Sequence, residues 1–244
     1  GLTTLTIPDG VKSIDGDAFS GCEGLTSIVL PDSVETIGEY LFEDCTSLTD
    51  VTLPKGLLAV SNYAFYGCSS LTNVQIPDTV TSVGYCAFRD CIGLTEVTIA
   101  EGVQSIQSAA FKGCSALTSV HLPASVTFID DSAFDGCPKV TIDAPAGSYA
   151  YAWAKKYAET RYERQFSTGT LSDGTLMITG FTNNDETVTD VRIPGAIGGV
   201  PVTSIGSYAF LNCSSLTSID IPDGVTSIGG SAFSGCSNLT SVNI

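Results

Sequence analysis

The sequence predicts an α/β repeat solenoid, in which short parallel strands and helical or 3₁₀ turns recur in stacked layers. Three observations predict it. Cysteines fall at Cys22, Cys45, Cys68, Cys91, Cys114 and Cys137, always 23 residues apart, and Cys213 and Cys236 keep the same interval. Phenylalanines keep that beat at Phe19, Phe42, Phe65, Phe88, Phe111, Phe134, Phe210 and Phe233. Between them lie apolar runs too short to bury a face of their own. Self-similarity with a period of about 20 to 50 residues marks stacked supersecondary units. Each unit contacts mainly its neighbours, so the 244 residues are not read as one or two ordinary globular domains.

The repeat from Cys22 to Cys45, CEGLTSIVLPDSVETIGEYLFEDC, gives each element in order. Leu25, Ile28 and Leu30 alternate with Ser27 and Val29, which predicts a short strand with the first three pointing inward. Pro31-Asp32-Ser33 ends it, because proline cannot donate to a ladder and suits a turn. Val34 and Ile37 frame a second short extended piece, which Gly38 closes. The run EYLF predicts a helical or 3₁₀ turn that buries Leu41 and Phe42. The chain returns at Cys45 one layer on, a rise of about 4.8 Å, the spacing of paired strands.

The pattern CxxLTxVxIPxxVxxIGxxAFxxC resembles the 23-residue leucine-rich repeat of BspA-like bacterial surface proteins, the treponemal type. It departs from the commoner leucine-rich repeat, which has Asn or Cys after the strand; here the Cys precedes it. The resemblance covers residues 1–140 and about 188–244. It implies a right-handed curved leucine-rich repeat stack, a cell-surface or secreted location, and adhesion or protein binding. It implies no catalytic residues, so no enzyme is expected.

Residues 141–187 break the beat: Cys137 and Cys213 are 76 residues apart, three periods plus seven. The stretch Gly147 to Gln165 favours helix, with Ser148 as N-cap and Tyr149, Ala152, Trp153, Lys156 and Tyr157 at helical spacing. It resembles the helical segment that closes repeat arrays in the family. GTLSDGTLMITGF then sets Asp-Gly between two alternating runs, a hairpin signal, and such a hairpin opens arrays in the family. The expected domains are 1–165, a repeat array with a C-terminal helical cap, and 166–244, a second array opened by a β-hairpin. One continuous solenoid with a long decorated turn is the alternative. The chain opens within a strand and ends without a cap, so it is expected to be a piece of a longer protein.

The formal net charge of −16 argues against nucleic acid and anionic membrane surfaces, which select basic patches. No run is long and apolar enough for membrane insertion. Cysteines at one repeat position have parallel Cα–Cβ bonds, about one layer apart. A disulfide needs Cβ atoms about 3.8 Å apart and converging, so a reduced thiol ladder is expected, each thiol acting as a small apolar group. Cys86 falls where other repeats have Tyr40, Tyr63 or Tyr208 and is expected to be partly exposed. His121, with Ser119 and Glu96 nearby, lacks the nucleophile elbow a hydrolase would show. The turn acids Asp9, Asp32, Asp78, Asp223 and Glu101 are read as turn chemistry rather than a calcium ladder. The Asn183–Glu186 run is read as a solvated loop. No metal or cofactor is expected.

What remains is the strand face. Outward residues of the first array form two columns, and the candidate ligand-binding face is Asp50, Thr52, Asn73, Gln75, Glu96, Thr98, Ser119 and His121. The framework repeats while these residues differ from layer to layer. The expected function is a cell-surface or secreted protein-binding or adhesion module, with a structural spacer displaying another domain as the alternative. The expected partner is a protein, such as a host surface or matrix protein, ahead of a glycan. The expected location is extracellular or at the cell surface.

Overall fold

The computed structural model describes residues 3–160, 163–182 and 188–244; the Asn183–Glu186 run lies outside them. The fold is a parallel-strand solenoid with few helices. It divides into two compact units, Gly1–Lys155 and Lys156–Ile244.

In the first unit the strands are β1 (Thr4–Thr6), β2 (Ser13–Ile14), β3 (Ser27–Val29), β4 (Thr36–Ile37), β5 (Asp50–Thr52), β6 (Ala59–Val60), β7 (Asn73–Ile76), β8 (Ser82–Val83), β9 (Glu96–Ile99), β10 (Ser105–Ile106), β11 (Ser119–His121), β12 (Phe128–Ile129) and β13 (Thr141–Asp143). Odd-numbered strands form the main ladders β1-β3-β5 and β7-β9-β11-β13, and even-numbered strands a second, narrower set. All pair in parallel, each residue meeting the one 23 positions on, as Asn73 meets Glu96, except that β11 meets β13 at an offset of 22. Between β5 and β7 the step is kept by the Thr72 amide on the Thr49 carbonyl, 3.4 Å.

The recurrent Leu-Thr has a mechanical reason. The amide and the hydroxyl of Thr49 both donate to the Thr26 carbonyl, at 2.9 and 3.1 Å. Thr72, Thr95 and Thr118 repeat this on the preceding layer. Leu25, Leu48, Leu71, Leu94 and Leu117, one residue before, are fully buried. Gly38 is explained by close approach: a Cβ there would sit 2.1 Å from the Gly16 nitrogen.

The Ala-Phe segment is closed by i→i+3 bonds, such as Glu43 to Tyr40 and Cys45 to Phe42. That is the bonding of a 3₁₀ turn. It cannot propagate as a helix, because left-handed residues bracket it: Tyr40 (φ 59°) and Asp44 (φ 53°) in one layer, Cys86 (φ 52°) and Asp90 (φ 60°) in another. This geometry aims alternate amides along the stack. The amides of Tyr40, Phe42 and Asp44 donate to the carbonyls of Asn62, Ala64 and Tyr66 in the next layer. The rings follow. Phe65 and Phe88 stack at 5.1 Å and 2°, Phe88 and Phe111 at 5.3 Å and 3°, all fully buried.

The cysteine ladder lies beside the rings, and the nine cysteines are free thiols. The Sγ–H of Cys68, Cys91, Cys114 and Cys137 donates to the carbonyl of Phe42, Phe65, Phe88 and Phe111 respectively, each at 3.1 Å. Burial pushes the Cys45 thiol up to about 11 and Cys68 and Cys91 well up. Cys86 corrects the expectation of partial exposure. It is fully buried, with Tyr63 and Arg89 lying against its thiol.

The helix α1 (Tyr149–Thr160) begins at Ser148, whose hydroxyl accepts the Tyr151 amide at 3.0 Å. Trp153 is buried 5.9 Å from Phe134, the last ring of the first unit's stack, and Tyr149 leaves 44% of its surface in solvent.

The second unit holds β14 (Phe166–Thr170), β15 (Leu176–Phe181), β16 (Asp190–Arg192), β17 (Ala196–Ile197), β18 (Val200–Ile205), β19 (Ser218–Asp220), β20 (Ser227–Ile228) and β21 (Ser241–Asn243). β14 and β15 form the hairpin, turned at Asp173-Gly174. Asp173 accepts the Thr175 hydroxyl and amide, which hold its carboxyl below the usual carboxylate range. β15, β18 and β20 are parallel neighbours, as are β16, β19 and β21. Phe181, Phe210 and Phe233 stack at 5.4 and 5.0 Å, so the hairpin supplies the ring on which this unit's stack begins.

Two expectations follow. Phe88→Ala removes a ring packed on both faces and should destabilise the chain by about 3–5 kcal/mol in a urea titration; a loss below about 1 kcal/mol would show the ring is not part of the core. The thiols set an alkaline limit. The folded values of Cys45, Cys68, Cys91, Cys114 and Cys213 lie above the unfolded value of about 8.5, so folding favours their protonated form. That stability is complete below about pH 8.5 and is lost as pH rises toward the folded values, by about 1.4 kcal/mol per pH unit for each of these five thiols. Under reductant, the urea midpoint should fall between pH 7.5 and pH 10, and less steeply in a Cys68→Ala/Cys91→Ala variant. Equal slopes in the two proteins would remove the thiols as the cause.

Candidate ligand-binding face

The period-2 geometry of a strand sends one set of side chains inward and the other outward. On β5, β7, β9 and β11 the buried set is Val51, Val74, Val97 and Val120. The outward set is the eight candidate residues. Asp50 and Thr52 stand on β5, Asn73 and Gln75 on β7, Glu96 and Thr98 on β9, Ser119 and His121 on β11, and all eight are exposed. Register aligns Asn73, Glu96 and Ser119 in one column and Gln75, Thr98 and His121 in the other. A shallow depression of about 310 Å³ lies on β7 and β9, lined by Asn73, Gln75, Glu96 and Thr98 with Thr72 and Thr95. Its walls are amides, hydroxyls and one carboxylate.

His121 is held by a group the sequence reading left out. Its Nδ1 lies 3.0 Å from Oδ2 of Asp143, one layer on. Asp143 and Thr141 belong to β13, which pairs with β11 and extends both columns by a layer. The signal was present in the alternation of Val140-Thr141-Ile142-Asp143 after Cys137. The imidazole engages this carboxylate, while Ser119 aligns with Glu96 across the strands.

The turn acids act as caps between layers. Asp32 accepts the Lys55 amide at 3.1 Å, and Glu101 accepts the amides of Ala124 and Ser125 at 3.3 Å. Among the described residues no group of three or more His, Cys, Asp or Glu side chains is placed to hold a metal. No described helix is long and apolar enough to cross a membrane.

The chain matches the family model described as a BspA type leucine rich repeat region, in six copies, over residues 1–100, 84–152 and 181–244. Comparison with curated proteins gives no match. Among solved structures it is similar to a leucine rich cell surface protein from Faecalibacterium prausnitzii A2-165, at 28% identity and a TM-score of 0.47, over 99% of this chain and 69% of that one. It is similar to a leucine-rich repeat protein from Bacteroides ovatus ATCC 8483, at 25% identity and a TM-score of 0.49, over 98% of this chain and 63% of that one. The pneumococcal vaccine antigen PcpA shares the fold at 21% identity and a TM-score of 0.53, over 99% of this chain and 60% of that one. The chain thus spans between 60% and 69% of the length of these three proteins.

Proposed function

This chain belongs to the BspA-type leucine-rich repeat family, and we propose from that membership that it is a protein-binding module, extracellular or at a cell surface, that captures its partner on the outward face of β5, β7, β9 and β11. The surface location follows the bacterial surface proteins whose repeat it resembles. One observation carries the binding reading. Inward and ladder positions are nearly the same in every layer, whereas the outward residues Asp50, Asn73, Gln75, Glu96 and His121 differ from each other and stand side by side in register. The stack needs the constant residues for packing and places no such demand on the outward ones.

The face is polar, with an acidic excess from Asp50, Glu96 and Asp143. A partner with a basic or amide-rich surface complements it, and binding of that kind weakens with salt. Along the stack the candidate residues cover about 15–20 Å, four layers at strand spacing. The proposed organisation is two arrays, residues 1–165 and 166–244, each presenting its own strand face.

The test is the triple variant Asn73→Ala/Gln75→Ala/Glu96→Ala, assayed for capture on immobilised matrix proteins and a glycan array. Stability should stay within about 0.5 kcal/mol of the parent, while capture of a protein ligand falls tenfold or more. Unchanged capture at unchanged stability would move the site off this face. Absence of any capture, by this chain and by a longer protein carrying it, would favour the spacer.

A further inference from the structure

The second unit carries a feature that the first lacks. Among the described residues Arg192 is the one Lys or Arg on an outward strand position. It faces Asp220 across the β16–β19 ladder and stands two residues from Asp190 on its own strand. Both carboxylates are engaged elsewhere by neutral donors. Asp190 accepts the Ser218 hydroxyl and, at 2.9 Å, the Thr189 hydroxyl; these bonds hold it below the usual carboxylate range, and so ionised. Asp220 accepts the Asn243 side-chain amide at 2.6 Å. Among the described residues the Arg192 guanidinium has no carboxylate within ion-pair distance, although two aspartates flank it.

The guanidinium borders a depression of about 690 Å³. Ile193 and Ile221, both largely buried, line it with Pro194 and Pro222, and Asp190, Asp220 and Asp223 line it beside Arg192. That volume lies in the range of small-ligand and peptide sites, which combine an apolar floor with a few placed polar groups. A guanidinium without a carboxylate partner among the described residues matches a ligand carboxylate bidentately. The surrounding aspartates repel an anion of higher charge such as phosphate. They also favour a cation beside the carboxylate. A ligand that complements the whole depression therefore carries both signs, with the positive charge in excess.

We propose that this depression binds an extended peptide segment that presents one carboxylate to Arg192 and flanking basic side chains to Asp220 and Asp223. The site is separate from the β5–β11 face, and its failure would leave the reading of that face untouched. The test uses the whole chain, ¹⁵N-labelled, with blocked peptides as probes: Lys-Gly-Glu-Gly-Lys, its Lys-Gly-Gln-Gly-Lys counterpart, and glucuronate as a carboxylate without a peptide. The Glu peptide should shift the amides of Gly195 and Asp220 saturably, and the Gln peptide should bind at least tenfold more weakly. Arg192→Gln should erase that difference between the peptides, and Asp220→Asn/Asp223→Asn should weaken both. Equal binding of the two peptides to the parent chain would reduce the site to an acidic surface and overturn the proposal. Tighter binding of glucuronate than of the Glu peptide, or no saturable shift with any probe, would overturn it as well. Arg192 and Asp220 are exposed, so the variants should fold; should one fail to, the comparison of the two peptides on the unaltered chain still decides.

Discussion

The amides of Phe42, Phe65, Phe88, Phe111 and Phe210 each donate to an alanine carbonyl one layer on, at 2.8 Å. Most of the architecture depends on that bond. It sets the step between turns, which puts successive rings about 5 Å apart, the offset-stacked distance at which aromatic pairs attract. The phenylalanine carbonyl is then shared. The Phe42 carbonyl accepts the Cys45 amide within its own layer and the Cys68 thiol from the next. A small side chain with a weak donor is required there, and cysteine supplies both. The ring column and the thiol column are thus two products of one backbone arrangement.

The same arrangement explains why binding variation is confined to one surface. A buried position in a stack touches its equivalents above and below, so a change in one layer disturbs three. An outward strand residue such as Gln75 or Thr98 meets mainly solvent and its in-register neighbours. The two demands on the sequence, packing and recognition, therefore fall on alternate residues of the same strand. The fold can diversify one set without repacking the other.

The 23-residue beat made the layers, the strands and the buried rings legible, because spacing and alternation are local signals. The seal of the first stack was legible in part. Ser148 and the helical spacing marked α1, and Trp153 does sit on Phe134, yet the large exposure of Tyr149 follows from how the helix lies and has no counterpart in its periodicity. Asp143 was missed because β13 belongs to a layer whose second half departs from the repeat, so the beat stopped before the strand did. Cys86 was misread as partly exposed because it replaces tyrosine at a turn position. Tyr63, one layer back, and Arg89, in the same turn, lie against it. The engagement of Asp190 and Asp220 by Ser218 and Asn243, with Arg192 unpaired by any carboxylate among the described residues, is likewise a matter of side-chain rotamers across layers and lies beyond any pattern in one chain.

The forward-pointing amides have one more consequence. From Asp17 to Asp90 each turn of the first stack donates forward to the carbonyls of the next layer, as residues 40, 42 and 44 do. The stack is directional, and any layer's forward edge fits any other layer's rear edge. Loss or duplication of a whole 23-residue unit rejoins matching edges. A change of any other length has to be taken up in the connecting loops, as in the 28-residue step from Asp190 to Ser218. Unequal recombination between repeats thus becomes a route by which the displayed surface is lengthened or shortened in whole steps without any loop having to absorb a difference.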